Sequence, residues 1–301
     1  MLYFEQGGHW IADAHPESWS VANSASWTDR GMNPRLTILL IAAFLIGGAV
    51  FLWLRPADVT PVVPATATPA PTQPAAKPEP QTPSGASDQF LILAASWQPA
   101  FCEGAASKPE CRQQSRNRFD ADHFSLHGLW PTDEYCGVSS KLEQLDRDGR
   151  WSALPPVDLP VELRNVLDQV MPGTRSQLER HEWIKHGTCF GADEASYYGA
   201  ATQLLAALNA SKVRDLFAAN IGKTLTRDQI REAFTDAFGR DAGLRVRIAC
   251  ADDGKRRLIS EITIGLWGTP GDAPNLGKLI RAARPTDGGC IGGIVDPVGL
   301  Q

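Results

Sequence analysis

Four of the six histidines in this chain lie in or directly beside two short segments that combine proton-transfer groups with charge. The segment FSLHGLWP contains His127, and the segment HEWIKHGTC contains His181 and His186. Glu182 and Lys185 lie between the two histidines of the second segment. Because an imidazole can donate or accept a proton near neutral pH, these residue types predict acid–base chemistry on a charged substrate.

The spacing within the second segment indicates which groups share a helix face. A helix is predicted over residues 177–187, where residues four apart lie on the same face. Glu182 is four residues from His186, and His181 is four residues from Lys185 on the adjacent strip. These four ionisable groups would project from about one and a half turns. A solvated helix face with one structural histidine is the alternative interpretation.

The same spacing argues against a zinc site. In the HExxH motif of zinc hydrolases, the second histidine follows four residues after the first. Here that position is Lys185, and His186 lies one residue too far round the helix. The ammonium group of Lys185 would also repel a metal ion. We therefore predict chemistry that uses no metal ion.

A phosphodiester is the substrate that fits these groups. With His127 on a facing strand, one imidazole can take the proton of an attacking hydroxyl while the other protonates the leaving oxygen. Lys185 and His181 would bind the negative charge of the phosphate. RNA supplies its own nucleophile in the 2′-hydroxyl, whereas DNA lacks this group and should resist cleavage.

The elements that must position these residues mix strands and helices. In residues 122–130, Phe124 and Leu126 alternate with Ser125 and His127, so His127 should point away from the packed side, toward a cleft. Other strands are predicted at residues 89–97, 244–249, 258–266 and 290–297, and other helices at 159–170, 194–208, 212–219 and 226–238, the last capped by Thr226. Because strands and helices do not alternate regularly, we expect the α+β class.

The first 87 residues are predicted to precede the folded domain. Residues 1–35 form a leader, residues 36–54 an uncharged apolar run, and residues 55–87 a proline-rich linker. Nineteen apolar residues nearly span a bilayer core of roughly 30 Å, which favours an uncleaved transmembrane anchor over a cleaved signal segment. Residues 88–301 then form one catalytic domain, either anchored on the periplasmic or extracellular face of a membrane or secreted after cleavage.

All six cysteines fall in the domain that follows the apolar run. An even number of cysteines behind such a segment predicts disulfides in an oxidising compartment outside the cytoplasm. Many pairings are possible; local spacing favours Cys102–Cys111, with a C-terminal pair Cys250–Cys290 that leaves Cys136–Cys189. The last of these pairs would join the ends of the two histidine segments.

The charge of the domain argues against tight, non-specific binding of nucleic acid. Residues 88–301 contain 25 basic and 28 acidic residues, a net charge of −3. Proteins that bind nucleic acid tightly without sequence preference are usually basic. An enzyme that must release its product needs only a local cationic cluster.

Taken together, the two histidine segments resemble the active-site segments of the ribonuclease T2 family of secreted endoribonucleases. They occur in the same order, about fifty residues apart. The resemblance covers residues 89–297 and implies a single disulfide-bonded α+β domain with a central antiparallel sheet and packed helices. It also implies cleavage of single-stranded RNA through 2′,3′-cyclic phosphates to 3′-phosphate ends, without a cofactor.

The resemblance also implies a role for each residue of the two segments. His127, Glu182 and His186 correspond to the catalytic residues of the family, and His181 and Lys185 to its phosphate-binding residues. It implies His186 as base and His127 as acid in the first step, with the roles reversed when the cyclic phosphate is hydrolysed. The sequence alone does not fix that order.

Several expectations remain alternatives. Trp130 is expected either to stack on a base of the substrate or to pack in the core, whereas Trp183 is expected in the core and His123 at the surface. The competing function is a non-catalytic RNA- or nucleotide-binding module of the same fold, outside the cytoplasm. We expect a monomer that binds single-stranded RNA, with the membrane as a second partner through residues 36–54 if that segment is uncleaved.

Overall fold

The computed structural model of the chain describes residues 88–271 and 273–301. The predicted leader, apolar segment and proline-rich linker, residues 1–87, lie outside the described residues. Within those two described ranges, no helix combines the length and the apolar character needed to cross a bilayer. The architecture below is therefore that of the predicted catalytic domain.

The described part of the chain contains nine α-helices and six strands. In chain order the elements are β1 (Gln89–Ser96), α1 (Gln98–Gly104), α2 (Pro109–Arg112), β2 (Ser125–Pro131), α3 (Ser140–Arg147), α4 (Val161–Val170), α5 (Leu178–Lys185), α6 (Glu194–Asn209), α7 (Lys212–Ala219), β3 (Thr224–Thr226), α8 (Arg227–Phe238), β4 (Val246–Asp253), β5 (Arg256–Gly268), α9 (Leu276–Ala282) and β6 (Gly292–Ile294). Two 3₁₀ turns border the site, Trp151–Ala153 before α4 and Gly187–Cys189 after α5.

The strands form one mixed sheet. Its order is β2–β1–β5–β6–β3, and β4 pairs with β5 outside that path. The long strands pair antiparallel, but β6 pairs with β5 in parallel at Leu258 and Ile294. The α+β class is confirmed, whereas the predicted antiparallel sheet is wrong at β6, which lies parallel to β5 between β5 and β3. The reason is that the chain passes from β5 through α9 to β6, and a helical crossover returns a strand in parallel.

The hydrophobic pattern locates the longer elements but not the shortest. Thr226 caps α8 as predicted, in a reciprocal pair of bonds with Gln229. Residues 242–245, expected in part to be strand, form a 3₁₀ turn, so β4 begins at Val246. Helices α1, α2, α3 and α9 are absent from the predicted elements, and each has eight residues or fewer, a length at which a helical period is weakly defined.

Helix α6 and strand β1 form the centre of the core. Residues Tyr197, Leu204 and Leu208 of α6 are fully buried. Strand β1 is buried on both faces, since the consecutive residues 93–95 have no exposed surface. Burial of this extent gives a rigid base on which the site-bearing elements are placed.

Two adjacent tyrosines of α6 connect the elements that carry the histidine segments. The hydroxyl of Tyr197 accepts a hydrogen bond from the amide of Leu129 on β2 (3.4 Å). The hydroxyl of Tyr198 donates to the carbonyl of Glu179 on α5. Helix α6 therefore fixes β2 and α5 relative to each other.

Three disulfides join the six cysteines in the pairs favoured by their spacing: Cys102–Cys111, Cys136–Cys189 and Cys250–Cys290. The second links the loop after β2 to the 3₁₀ turn after α5. Beside it, the amide of Tyr135 donates to the carbonyl of Lys185 at 2.8 Å. The two histidine segments are thus joined both covalently and by a backbone hydrogen bond.

Candidate active site

His127 occupies a β-bulge between β1 and β2. Ala94 pairs with Gly128 and Ala95 pairs with Leu126, so His127 is the additional residue on β2. A bulge bends the strand and redirects the side chain of the extra residue. The predicted orientation of His127 away from the packed side therefore has a local backbone cause that simple alternation does not describe.

The bulge brings His127 and Trp130 to the same carboxylate. In a regular strand, residues three apart point to opposite faces. Here the indole N–H of Trp130 donates to Oε2 of Glu182 (2.8 Å), and Nε2 of His127 lies 3.6 Å from its Oε1. The two ring centroids are 5.1 Å apart, edge to face. Two residues of β2 therefore meet one residue of α5.

Glu182 is fully buried, and its position requires a glycine opposite. A Cβ on Gly128 would lie 1.9 Å from Oε2 of Glu182, which no other residue permits without moving the carboxylate. Burial raises the pKa of Glu182, while the charges of His127 and His181 oppose that rise. Its Oε1 has no hydrogen-bond partner among the described residues and faces Nε2 of His127 and Nε2 of His181 at 3.6 and 3.8 Å.

A second carboxylate holds the other side of the His127 ring. Nδ1 of His127 lies 2.6 Å from Oε2 of Glu261 on β5, and the hydroxyl of Ser96 donates to the same oxygen at 3.2 Å. Burial alone would lower the pKa of His127, but Glu261, through its charge and hydrogen bond, and the charge of Glu182 raise it to about 9. Because 35% of the side chain remains exposed, the protonated imidazole is accessible to a substrate.

His181 is held in one orientation by Asp146 of α3. Its Nδ1 lies 2.8 Å from Oδ1 of Asp146, and the other carboxylate oxygen accepts from the hydroxyl of Tyr135 (2.9 Å). The ring of Trp151 stacks on His181, with centroids 4.6 Å apart, and its indole N–H donates to the carbonyl of Asp146. These contacts direct Nε2 of His181 toward Glu182.

His186 lies at the end of α5 in a different environment. Its amide donates to the carbonyl of Glu182 one turn earlier, and its ring stacks on Trp130 with centroids 5.5 Å apart. The residue is 6% exposed, and its Nδ1 has no hydrogen-bond partner in the described part of the chain. Burial, followed by the positive charges of Lys185 and His181, lowers the pKa of His186 to about 2. Burial therefore favours the neutral imidazole in the free enzyme, which is the form that a general base requires.

Lys185 supplies a cation at the edge of the site. Its Nζ lies 3.6 Å from Oε1 of Glu134, whose side chain is largely exposed. Ion pairs at an exposed surface contribute about 1 kcal/mol or less. An anionic substrate can therefore replace Glu134 as the partner of Lys185.

All six residues predicted for the site lie together in the structure: His127, Trp130, His181, Glu182, Lys185 and His186. Trp130 contacts the site residues rather than only the core. Trp183 packs on Tyr197, in line with its expected place at the core. His123 is partly buried and pairs with Asp122.

Sequence reasoning misses the two carboxylates that hold the histidines, Glu261 and Asp146. Glu261 has one visible signal, since it is the only charge within the apolar run LISEITIGL. Asp146 has none, because α3 is polar along its length and other acidic residues lie close to it. Pairing over such sequence distances becomes apparent only when the sheet register and helix packing are known.

Comparison with known sequences identifies the family. The sequence profile of the Ribonuclease T2 family matches residues 88–277. The chain belongs to the ribonuclease T2 family. It is thus an RNA-cleaving endoribonuclease of that family.

Individual relatives differ in how much of their length is matched. Ribonuclease I of Escherichia coli (strain K12) is 31% identical over 223 residues, which cover 66% of this chain and 82% of the bacterial protein. Human ribonuclease T2 is 27% identical over 186 residues, covering 58% of this chain and 65% of the human protein. Superposition on the crystal structure of human RNase T2 gives a TM-score of 0.42 at 21% identity, covering 70% of this chain and 98% of that chain.

Proposed function

We propose that this ribonuclease cleaves single-stranded RNA through its own 2′-hydroxyl, with His186 as base and His127 as acid and without a metal ion. One arrangement carries the proposal: the rings of His127 and His186 both contact Trp130, and they lie in opposite electrostatic environments. Glu261 and Glu182 favour the protonated form of His127 by raising its pKa to about 9, whereas burial favours neutral His186 by lowering its pKa. These environments suit His127 to the role of acid and His186 to that of base.

In the first step, His186 takes the proton of the 2′-hydroxyl as its oxygen attacks the phosphorus. The bond from phosphorus to the 5′-oxygen of the next nucleotide breaks, and His127 gives its Nε2 proton to that oxygen. The products are a 2′,3′-cyclic phosphate and a free 5′-hydroxyl end. Each proton transfer accelerates such a step by roughly 10²–10⁴-fold.

The phosphate is bound by Lys185 and His181. The charge of Lys185 acts on both His127 and His186, in agreement with a position between the base and the acid. Negative charge that develops on the phosphate oxygens in the transition state would be stabilised there. Glu182, between Nε2 of His127 and Nε2 of His181, keeps both rings directed to the same point.

In the second step the roles reverse. Neutral His127 removes a proton from water, which attacks the cyclic phosphate, and the proton carried by His186 goes to the 2′-oxygen as that bond breaks. The product ends in a 3′-phosphate. Both steps use only side chains and solvent, which supports a reaction that needs no cofactor.

Cleavage of a single-stranded RNA in excess chelator tests this function. The domain is expected to cleave at an unchanged rate in chelator and to release cyclic phosphate first. His127→Ala and His186→Ala are each expected to lower the rate by at least roughly 10²-fold.

The matched control substrate is the same oligonucleotide with a single 2′-deoxy sugar at the cleaved position. It lacks the nucleophile and should bind but resist cleavage. Loss of activity in chelator, or cleavage at the deoxy position, would contradict the mechanism. Binding of RNA without any cleavage by the disulfide-bonded protein would instead support the non-catalytic alternative.

We further propose that the domain works outside the cytoplasm. Its three disulfides are stable in oxidising compartments and rare in the cytosol. The anchor or signal predicted at residues 36–54 agrees with this location. Washing of membranes with alkaline carbonate tests the tether: an anchored enzyme stays in the pellet, whereas a processed enzyme is released.

A further inference from the structure

We propose that Glu261 is a positioning residue that holds His127 as the proton donor of the first step. The inference rests on the proposed function, because it concerns the same histidine. It adds a residue that lies outside both histidine segments, on strand β5.

The sheet register brings Glu261 to His127. Glu261 pairs with Ser96 across β1 and β5, and Ser96 pairs with Ser125 across β1 and β2. His127 follows two residues after Ser125, at the bulge. Three neighbouring strands therefore place a carboxylate from β5 beside an imidazole from β2.

The contact is specific to one oxygen and one ring nitrogen. Oε2 of Glu261 lies 2.6 Å from Nδ1 of His127 and also accepts the hydroxyl hydrogen of Ser96 at 3.2 Å. The Glu261 side chain is 18% exposed, so this ion pair is shielded from solvent more than a surface pair. A carboxylate held on Nδ1 fixes the ring plane and leaves the Nε2 proton to be donated.

The charged groups around His127 come from two elements. Glu261 on β5 and Glu182 on α5 favour the protonated ring, whereas Lys185 on α5 opposes it. Glu182 lies farther away, with Oε1 3.6 Å from Nε2, the nitrogen that must give its proton. Glu261 is therefore the partner that holds the ring through the nitrogen that takes no part in the transfer.

His186 provides the internal comparison. Its Nδ1 is buried and has no hydrogen-bond partner within residues 88–271 and 273–301. A carboxylate on Nδ1 favours the protonated ring, which is the form an acid needs, and His186 has no such partner. This difference in partners supports His127 as the acid and His186 as the base of the first step, an order that the sequence leaves open.

Comparing kcat/KM on two kinds of substrate distinguishes a positioning role of Glu261 from a purely structural role. Dinucleotides have a leaving alkoxide that needs a proton, whereas 3′-(4-nitrophenyl) phosphates of the four ribonucleosides release nitrophenolate without one. Glu261→Gln is expected to lower kcat/KM on dinucleotides by roughly 10- to 100-fold, since a positioned acid is worth about 10²–10⁴-fold. On the nitrophenyl esters the loss should stay within about threefold, because the departing group needs no acid.

The pH profile gives a second readout. The alkaline limb of kcat/KM on dinucleotides reports the acid in the free enzyme, so Glu261→Gln should move that limb to lower pH. Glu232→Gln, at an exposed residue of α8, removes the same charge outside the site and should change neither readout. Ser96→Ala keeps the carboxylate but removes one of its hydrogen bonds and should give a smaller loss with the same dependence on leaving group.

Each outcome decides the point. Equal losses on both kinds of substrate, or an alkaline limb that does not move, would overturn the role of Glu261. If Glu261→Gln does not fold, Ser96→Ala must still show a greater loss on dinucleotides than on nitrophenyl esters. Inactivity of the unmodified enzyme on every substrate would refute the proposed function itself, and not this inference alone.

Discussion

His127 and Trp130, three residues apart on β2, contact the two oxygens of one buried carboxylate, that of Glu182. The β-bulge at His127 makes this geometry possible, and the absence of a side chain at Gly128 leaves room for the carboxylate. Residues 127–130 therefore form the surface against which the carboxylate of Glu182 packs, and they also contribute His127 to the site.

Replacing Gly128 tests this fit. In Gly128→Ala the new methyl group would lie 1.9 Å from Oε2 of Glu182, so the carboxylate must move away from Trp130. We expect kcat/KM to fall by roughly 10²-fold and the free energy of unfolding to drop by about 1–3 kcal/mol. Gly265→Ala is the control, because its methyl group would meet neighbours at an ordinary 3.6 Å. Similar activity in the two variants would show that the fit does not matter.

The two reaction steps should share one pH range. The first step needs protonated His127, whose pKa is about 9, so its rate should hold through neutral pH and fall above about pH 9. The second step needs neutral His127 together with protonated His186, and through neutral pH the first form becomes more abundant as the second becomes scarcer. Its rate should therefore also stay level there, but at a low value, because both forms are minor, and cyclic phosphate should accumulate at pH 7. Chromatography of the products over time measures both steps; hydrolysis of the cyclic phosphate that outpaces its formation at pH 7 would contradict the assignment.

Asp146 should act through His181. Asp146→Asn removes the negative charge that lies beside Nδ1 of His181, and it weakens the hydrogen bond from Tyr135. The proposed phosphate-binding imidazole should then lose its fixed orientation. We expect kcat/KM to fall by roughly tenfold, mainly through a higher KM, since a charged hydrogen bond contributes about 1.5–3 kcal/mol. Asp148→Asn, an exposed change two residues later, is the matched control. An unchanged KM in Asp146→Asn would remove Asp146 from the site.

The disulfide between the two histidine segments should affect both stability and activity. Cys136–Cys189 closes a loop with a sequence separation of 53, against 9 for Cys102–Cys111. From loop length, paired Cys→Ser changes should lower the free energy of unfolding by roughly 4 kcal/mol for Cys136–Cys189 and by roughly 2.5 kcal/mol for Cys102–Cys111. Only loss of Cys136–Cys189 should also raise KM, because the carbonyl of Lys185 accepts a backbone hydrogen bond beside it. Denaturant titration and kinetics of the two double variants distinguish these effects, and an equal change of KM in both would be contrary evidence.

The sequence predicts the members of the site better than its geometry. Helical periodicity is local and regular, so the spacing places His181, Glu182, Lys185 and His186 close together, and all four lie in α5 or directly after it. The predicted pairing of side chains differs, because the carboxylate of Glu182 faces His181 and His127 rather than His186. Of the three disulfides, only Cys102–Cys111 is suggested by local spacing, since the sequence leaves many pairings open.

The rest depends on contacts between elements. The bulge at His127 changes which side chains share a face, and its one sequence signal is the neighbouring Gly128, which does not specify which residue is the additional one. Glu261 reaches His127 across 134 positions of sequence, and Asp146 reaches His181 across 35. The parallel pairing of β6 with β5 likewise follows from the crossover through α9. Such features need the register of the sheet and the packing of helices upon it.

The central claim, that His127 enters the reaction protonated and His186 neutral, is tested most directly by nuclear magnetic resonance of the enzyme labelled with ¹⁵N-histidine. The ring-nitrogen shifts, assigned with His127→Gln and His186→Gln, report the protonation state of each imidazole. We expect His127 to keep both ring protons up to about pH 9 and His186 to remain neutral at pH 7 and well below it. A neutral His127 together with a protonated His186 at pH 6–7 would contradict the account.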